Sequence, residues 1–139
     1  MGMKIKWDGD MRFIAENENG ASVTIDTGTA YGGSGKYPTP MDLLVMALGG
    51  CGGMDIVSML EKMRVKIKRM EVDIETRRRT EPPTYFEEMH ILYTISGDGL
   101  TEDKARRAAE LSSEKYCSVS VMLREKAKIT FDVKIEPEG

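Results

Sequence analysis

The sequence predicts a single α+β domain over residues 1–139, on three observations. Apolar and polar residues alternate in segments near both ends of the chain and in its middle, the period of half-buried strands. One long apolar stretch follows a Thr-Pro pair and reads as a helix that belongs inside. The length, 139 residues with 40% hydrophobic and 31% charged side chains, suits one core and is cramped for two.

Met3, Ile5 and Trp7 alternate with lysines, Asp8-Gly9-Asp10 turns the chain, and the run Met11–Glu16 extends toward Asn19-Gly20. Asn-Gly between extended runs is a strong hairpin signal, so a third strand follows through Ala21–Asp26 and completes a meander. Residues 28–39 switch to Gly, Ser, Tyr and Pro and predict a loop without regular structure. Thr39 then caps and Pro40 opens a helix of about 24 residues, long enough at about 1.5 Å per residue that the sheet must wrap around it.

Met70, Val72, Ile74 and Thr76 alternate with charged residues, Pro82-Pro83 breaks the chain, and Met89, Ile91, Tyr93 and Ile95 alternate again, predicting a long antiparallel pair. Val65 and Ile67 are out of phase with Met70, which a bulge near Lys68 or a later strand start explains. Gly97-Asp98-Gly99 reads as a turn, and Thr101 caps a second helix carrying the small-residue stripe Ala105, Ala108, Ala109 and Ser112. A short helical piece after Cys117 and a strand over Ile129, Phe131, Val133 and Ile135 close the order βββ-α-ββ-α-α-β, expected as antiparallel sheets around the long helix.

Charge excludes some functions. Lys and Arg number 20 against 23 Asp and Glu, a net charge of −3, so the basic footprint of a nucleic-acid binder is missing. Arg77-Arg78-Arg79 reads as a solvated strand tip. No run of 18 apolar residues and no signal-peptide pattern stand in the sequence, which predicts a soluble cytoplasmic protein with no membrane partner.

Cys51 and Cys117 are the only cysteines and His90 is the only histidine. No C-x-x-C or H-x-x-x-H spacing exists, so neither a structural metal nor a cofactor is expected. His90 lies in a strand pattern and reads as a residue satisfied by its neighbours.

Gly49-Gly50-Cys51-Gly52-Gly53 stands inside the apolar helix. Each glycine costs about 0.5–1 kcal/mol there relative to alanine, so close approach of something else must offset the loss. The glycines either leave Cys51 open to a substrate or partner chain, or let the alanine-rich second helix cross at close range. The second helix delivers Cys117, so the two thiols can meet. Cys51 lies beyond the first helical turn and needs a cation to become a reactive thiolate, with Arg12, Arg64, Arg124 and Lys36 as the candidates. Asp55, a carboxylate on the same apolar helix, needs a hydrogen-bonded or cationic neighbour.

SGKYPTPMDLLVMALGGC entering the cysteine helix, AAELSSEKYCSV around the second cysteine, and the element order together resemble the OsmC-like and organic hydroperoxide resistance proteins over essentially the whole chain. The resemblance implies an intertwined homodimer with active sites at the subunit interface. It implies Cys51 as the peroxidatic thiol, oxidised by a hydroperoxide, Cys117 as the resolving thiol that forms a disulfide with it, and a dithiol as reductant. Arg12 matches the activating arginine. Met41 stands where better-characterised members carry a glutamate ten residues before the first cysteine. The helix entry is similar to the branch lacking that glutamate, and Asp42 is the first carboxylate available. The alternative to a thiol peroxidase is a non-catalytic dimeric redox-sensing or ligand-binding stress protein. The plainest reading keeps both cysteines inert.

Overall fold

The alternating residues at the start of the chain form the antiparallel meander that the sequence predicts. Strands β1 (Lys4–Trp7), β2 (Phe13–Glu16) and β3 (Ser22–Ile25) lie in that order, with Trp7 opposite Phe13 and Phe13 opposite Ile25. Gly9 and Asp10 take positive φ of 93° and 50° in the first turn, where the Trp7 indole N–H donates to the Asp10 carbonyl at 2.8 Å. Directly opposed residues share a face. Ile5, Trp7, Phe13 and Val23 therefore make an apolar stripe that remains exposed, Trp7 at 66%. This computed structural model describes residues 2–137 and divides into two compact units, 1–46 and 47–139.

The glycine-rich loop contains one 3-10 turn, Thr29–Tyr31. It is held by Asp26, only 3% exposed, whose carboxylate accepts from the Ser34 hydroxyl at 2.6 Å and from the backbone N–H groups of Thr27 and Ser34 at 2.7 and 3.1 Å. Gly33 is required there, because a Cβ would strike the Thr27 carbonyl.

Helix α1 spans Pro40–Lys62, and Thr39 caps it as expected. The Thr39 hydroxyl accepts from the Asp42 N–H and the Asp42 carboxylate accepts from the Thr39 N–H, both at 3.0 Å, a reciprocal capping box. The expectation that α1 is buried nearly all round needs correction. Leu48, Gly52, Gly53, Ile56 and Leu60 are buried, whereas Met46, Val57 and Met54 are exposed, Met54 at 75%. In a single chain the second sheet covers one face of the helix. The helix also has the length and mean hydropathy, 1.8 over 18 residues, to cross a membrane, which the sequence reading did not find. Its sheet-packed face and hydrogen-bonded Asp55 are features of a helix packed on protein.

In residues 47–139, β4 (Lys66–Arg78) and β5 (Phe86–Asp98) pair antiparallel, with the irregularity at Lys68 that the phase slip predicts. Gly97 and Asp98 continue the strand opposite Ile67 and Lys66, so the turn begins later than expected. Helix α2 (Glu102–Leu111) is capped by the Thr101 hydroxyl and leads through a π-helical turn, Ser112–Tyr116, to α3 (Ser118–Leu123) and β6 (Lys128–Ile135). β6 runs parallel to β5, so the second sheet is mixed where antiparallel pairing was expected. The helical connection between them is long enough for the crossover that parallel strands require. Ala105, Ala108 and Ala109 are buried and α2 packs on β6. The glycines of α1 instead admit side chains of the sheet: Gly49 meets Ile74 and Val72, and Gly53 meets Val72 and Met70. Close packing against a sheet thus replaces the helix crossing.

Candidate active site

Cys51 and Asp55 stand four residues apart on α1 and so project from one face of it. The end of α2 and the π-helical turn return the chain to that face, where Cys117 sits in extended backbone before α3. The two sulfur atoms and a carboxylate oxygen of Asp55 all lie within 4.8 Å of one another. Both cysteines are free thiols; Cys51 is half-buried and Cys117 only 2% exposed. The Ser120 backbone N–H donates to the Cys117 sulfur at 3.3 Å, and the Ser112 hydroxyl donates to Asp55 Oδ2 at 2.8 Å. Asp55 thus has the hydrogen-bonded neighbour its position on an apolar helix required.

Burial pushes the Cys117 thiol up to about 11, the Ser120 N–H working against that and hydrogen bonding to Cys51 and the charges of Cys51 and Asp55 adding to it. Cys117 is therefore a protonated thiol at neutral pH. Tyr93, buried on β5, is raised for the same reason, burial first and then the charges of Cys117, Asp55 and Cys51. Its hydroxyl occupies the space that a Cβ on Gly52 would need, so the glycine beside Cys51 makes room for a tyrosine. An apolar groove of about 520 Å³ opens beside Asp55, walled by Met59, Met63, Leu111 and Tyr116.

The other candidates are placed as follows. Arg12 and Asp42 belong to residues 1–46, and Cys51 and Cys117 to 47–139. The Arg12 guanidinium is paired with Asp8, Nε to Oδ2 at 3.1 Å and Nη2 to the Asp8 carbonyl at 2.9 Å. The Asp42 carboxylate is engaged in the capping box of α1. Arg124 donates to the Ser113 carbonyl at 3.3 Å, and Arg64 turns the chain at the end of α1 with φ 63°. His90 pairs with Thr130 across β5 and β6 at 2.6 Å, a strand residue satisfied by its neighbour. Arg77 is exposed and pairs with Glu87 and Glu88. Sequence reasoning missed Ser112 and Tyr93 as neighbours of the thiols. Ser112 was visible only as part of a small-residue stripe and Tyr93 only as a strand residue.

A family model described as OsmC-like protein matches residues 33–132 of the chain. Protein YhfA of Escherichia coli K12 is 35% identical over 136 residues, 97% of this chain and 98% of YhfA. A hypothetical protein from Aquifex aeolicus VF5, known from a crystal structure, superposes with a TM-score of 0.80 at 30% identity, covering 97% of this chain and 96% of that one. An organic hydroperoxide resistance protein from Legionella pneumophila superposes with a TM-score of 0.68 at 16% identity, covering 96% and 97%, a likeness of fold.

Proposed function

Because the chain belongs to the OsmC-like protein family, we propose that it is a thiol peroxidase that reduces organic hydroperoxides or hydrogen peroxide. The observation that carries this reading is the meeting of an accessible Cys51 and a buried Cys117 within 4.8 Å. The Cys51 thiolate attacks the outer oxygen of the peroxide, the O–O bond breaks, the alcohol leaves with a proton, and Cys51 becomes a sulfenic acid. Cys117 then attacks that sulfur. Its thiol proton departs with the hydroxyl as water, and the Cys51–Cys117 disulfide forms. A dithiol reductant restores both thiols by exchange and is itself oxidised.

The groove beside Asp55, walled by Met59, Met63, Leu111 and Tyr116 with Ser58 and Lys62, supports an organic substrate, since it offers apolar surface one helical turn from Cys51. Arg12 is the proposed activating cation, on the strength of its sequence match. Residues 1–139 are read as one domain that works in the cytoplasm as an antioxidant homodimer, its exposed apolar stripe on β1, β2 and β3 taken up by the second copy.

Reduced protein mixed with cumene hydroperoxide is expected to lose both free thiols and to carry an intramolecular disulfide by mass spectrometry, while Cys117→Ser stops at a sulfenic acid that dimedone traps. Absence of the disulfide, or peroxide consumption by Cys51→Ser at the wild-type rate, refutes the peroxidase. A second reading, a non-catalytic redox-sensing or ligand-binding protein, is favoured by one observation: the Asp42 carboxylate is held by Thr39 and the Arg12 guanidinium by Asp8. Stopped-flow oxidation separates the two, because a sensor of this kind reacts no faster than an ordinary free thiol.

A further inference from the structure

We infer that Cys51, Asp55 and Cys117 form a three-ligand site for a thiophilic divalent cation, zinc by preference, open to the metal only while both thiols are reduced. Counting ligand spacing along the chain misses this set, because the fold supplies its third member from a distant element. The donor atoms lie within 4.8 Å of one another, and zinc bonds of about 2.0–2.3 Å place tetrahedral neighbours about 3.3–3.8 Å apart. Closing on an ion therefore asks for movement of about 1 Å, within reach of small side-chain rotations.

The arrangement has the parts of a built site. Cys51 and Asp55 are spaced i,i+4 on a helix, the separation by which two ligands on one helical face share an ion. The Ser112 hydroxyl holds Asp55 Oδ2 at 2.8 Å, the kind of outer hydrogen bond that orients a ligating carboxylate. The Ser120 N–H orients the Cys117 sulfur in the same way.

Two sulfurs with one carboxylate select zinc or a similar borderline ion over magnesium or calcium, which take oxygen ligands. Binding holds both cysteines as metal thiolates and displaces the protons they carry. The disulfide uses the same sulfur electrons, so oxidation expels the ion and the ion shields the thiols. The site stands whether or not the protein turns over peroxide.

The test is titration of the reduced, metal-free protein with Co²⁺ under anaerobic conditions. One Co²⁺ per chain is expected, with sulfur-to-cobalt charge-transfer absorption and strong tetrahedral d–d bands that Zn²⁺ abolishes by displacement. Cys117→Ser is expected to lose most of the charge-transfer band, and Asp55→Asn to keep it with affinity lowered by about 10–100-fold. Wild-type protein oxidised with diamide, which carries no substitution and stays informative if a variant misfolds, is expected to show no band. A reduced wild type without the band, undiminished affinity in folded Asp55→Asn, or a band that survives oxidation overturns the site.

Discussion

Gly52 and Gly50 flank the same cysteine and have opposite reasons to be glycine. A Cβ at Gly52 would collide with the buried Tyr93 hydroxyl, while nothing lies within 4 Å of one at Gly50. Gly52→Ala is expected to lower stability by about 1–3 kcal/mol through overpacking. Gly50→Ala is expected to raise it by about 0.5–1 kcal/mol, the helical preference for alanine. Urea denaturation of the two variants checks the contrast, and a destabilised Gly50→Ala would mean that a second chain approaches α1 at that point. The glycines around Cys51 were legible as a need for close approach. Which neighbour each one admits was not, because a missing side chain says nothing about what fills its place.

The loop between β3 and α1 shows how one carboxylate orders an element that composition marks as irregular. The Ser34 hydroxyl and then the Thr27 N–H hold the Asp26 carboxyl below its usual range. A carboxyl whose folded value lies below its unfolded one stabilises the fold above the unfolded value, about 3.9, and loses that contribution as pH falls through the lower folded value. Acid unfolding of the wild type is therefore expected to include a proton uptake below about pH 4 that Asp26→Asn lacks. Circular dichroism along a pH titration checks it, and superimposable profiles would show that Asp26 does not set the loop. The starts of α1 and α2 and the bulge at Lys68 were readable because caps and phase slips are local. The parallel pairing of β6 was not, since strand direction follows the path of the crossover that precedes it.

At the scale of the molecule, the chain leaves two apolar surfaces uncovered. Ile5, Trp7, Phe13 and Val23 on the first sheet and Met46, Met54 and Val57 on the outward face of α1 are all exposed, and contiguous apolar patches of this kind mark interaction surfaces. A homodimer is expected by sedimentation at micromolar concentration, and Trp7→Glu is expected to shift it toward monomer by placing a charge in the buried interface. A wild type that sediments as a monomer removes the dimer and, with it, an active site at the subunit interface.

The sequence by itself determined the order of elements, the start of α1, the α+β class and the need for close approach at the glycines beside Cys51, because periodicity, caps and conformational cost act over a few residues. Only the tertiary structure decided that Cys117 and Ser112 arrive beside Cys51 and Asp55, that Tyr93 fills the gap over Gly52, and that α1 buries one face instead of all. Those are distances between elements remote in the chain, and they follow from how the strands and helices pack.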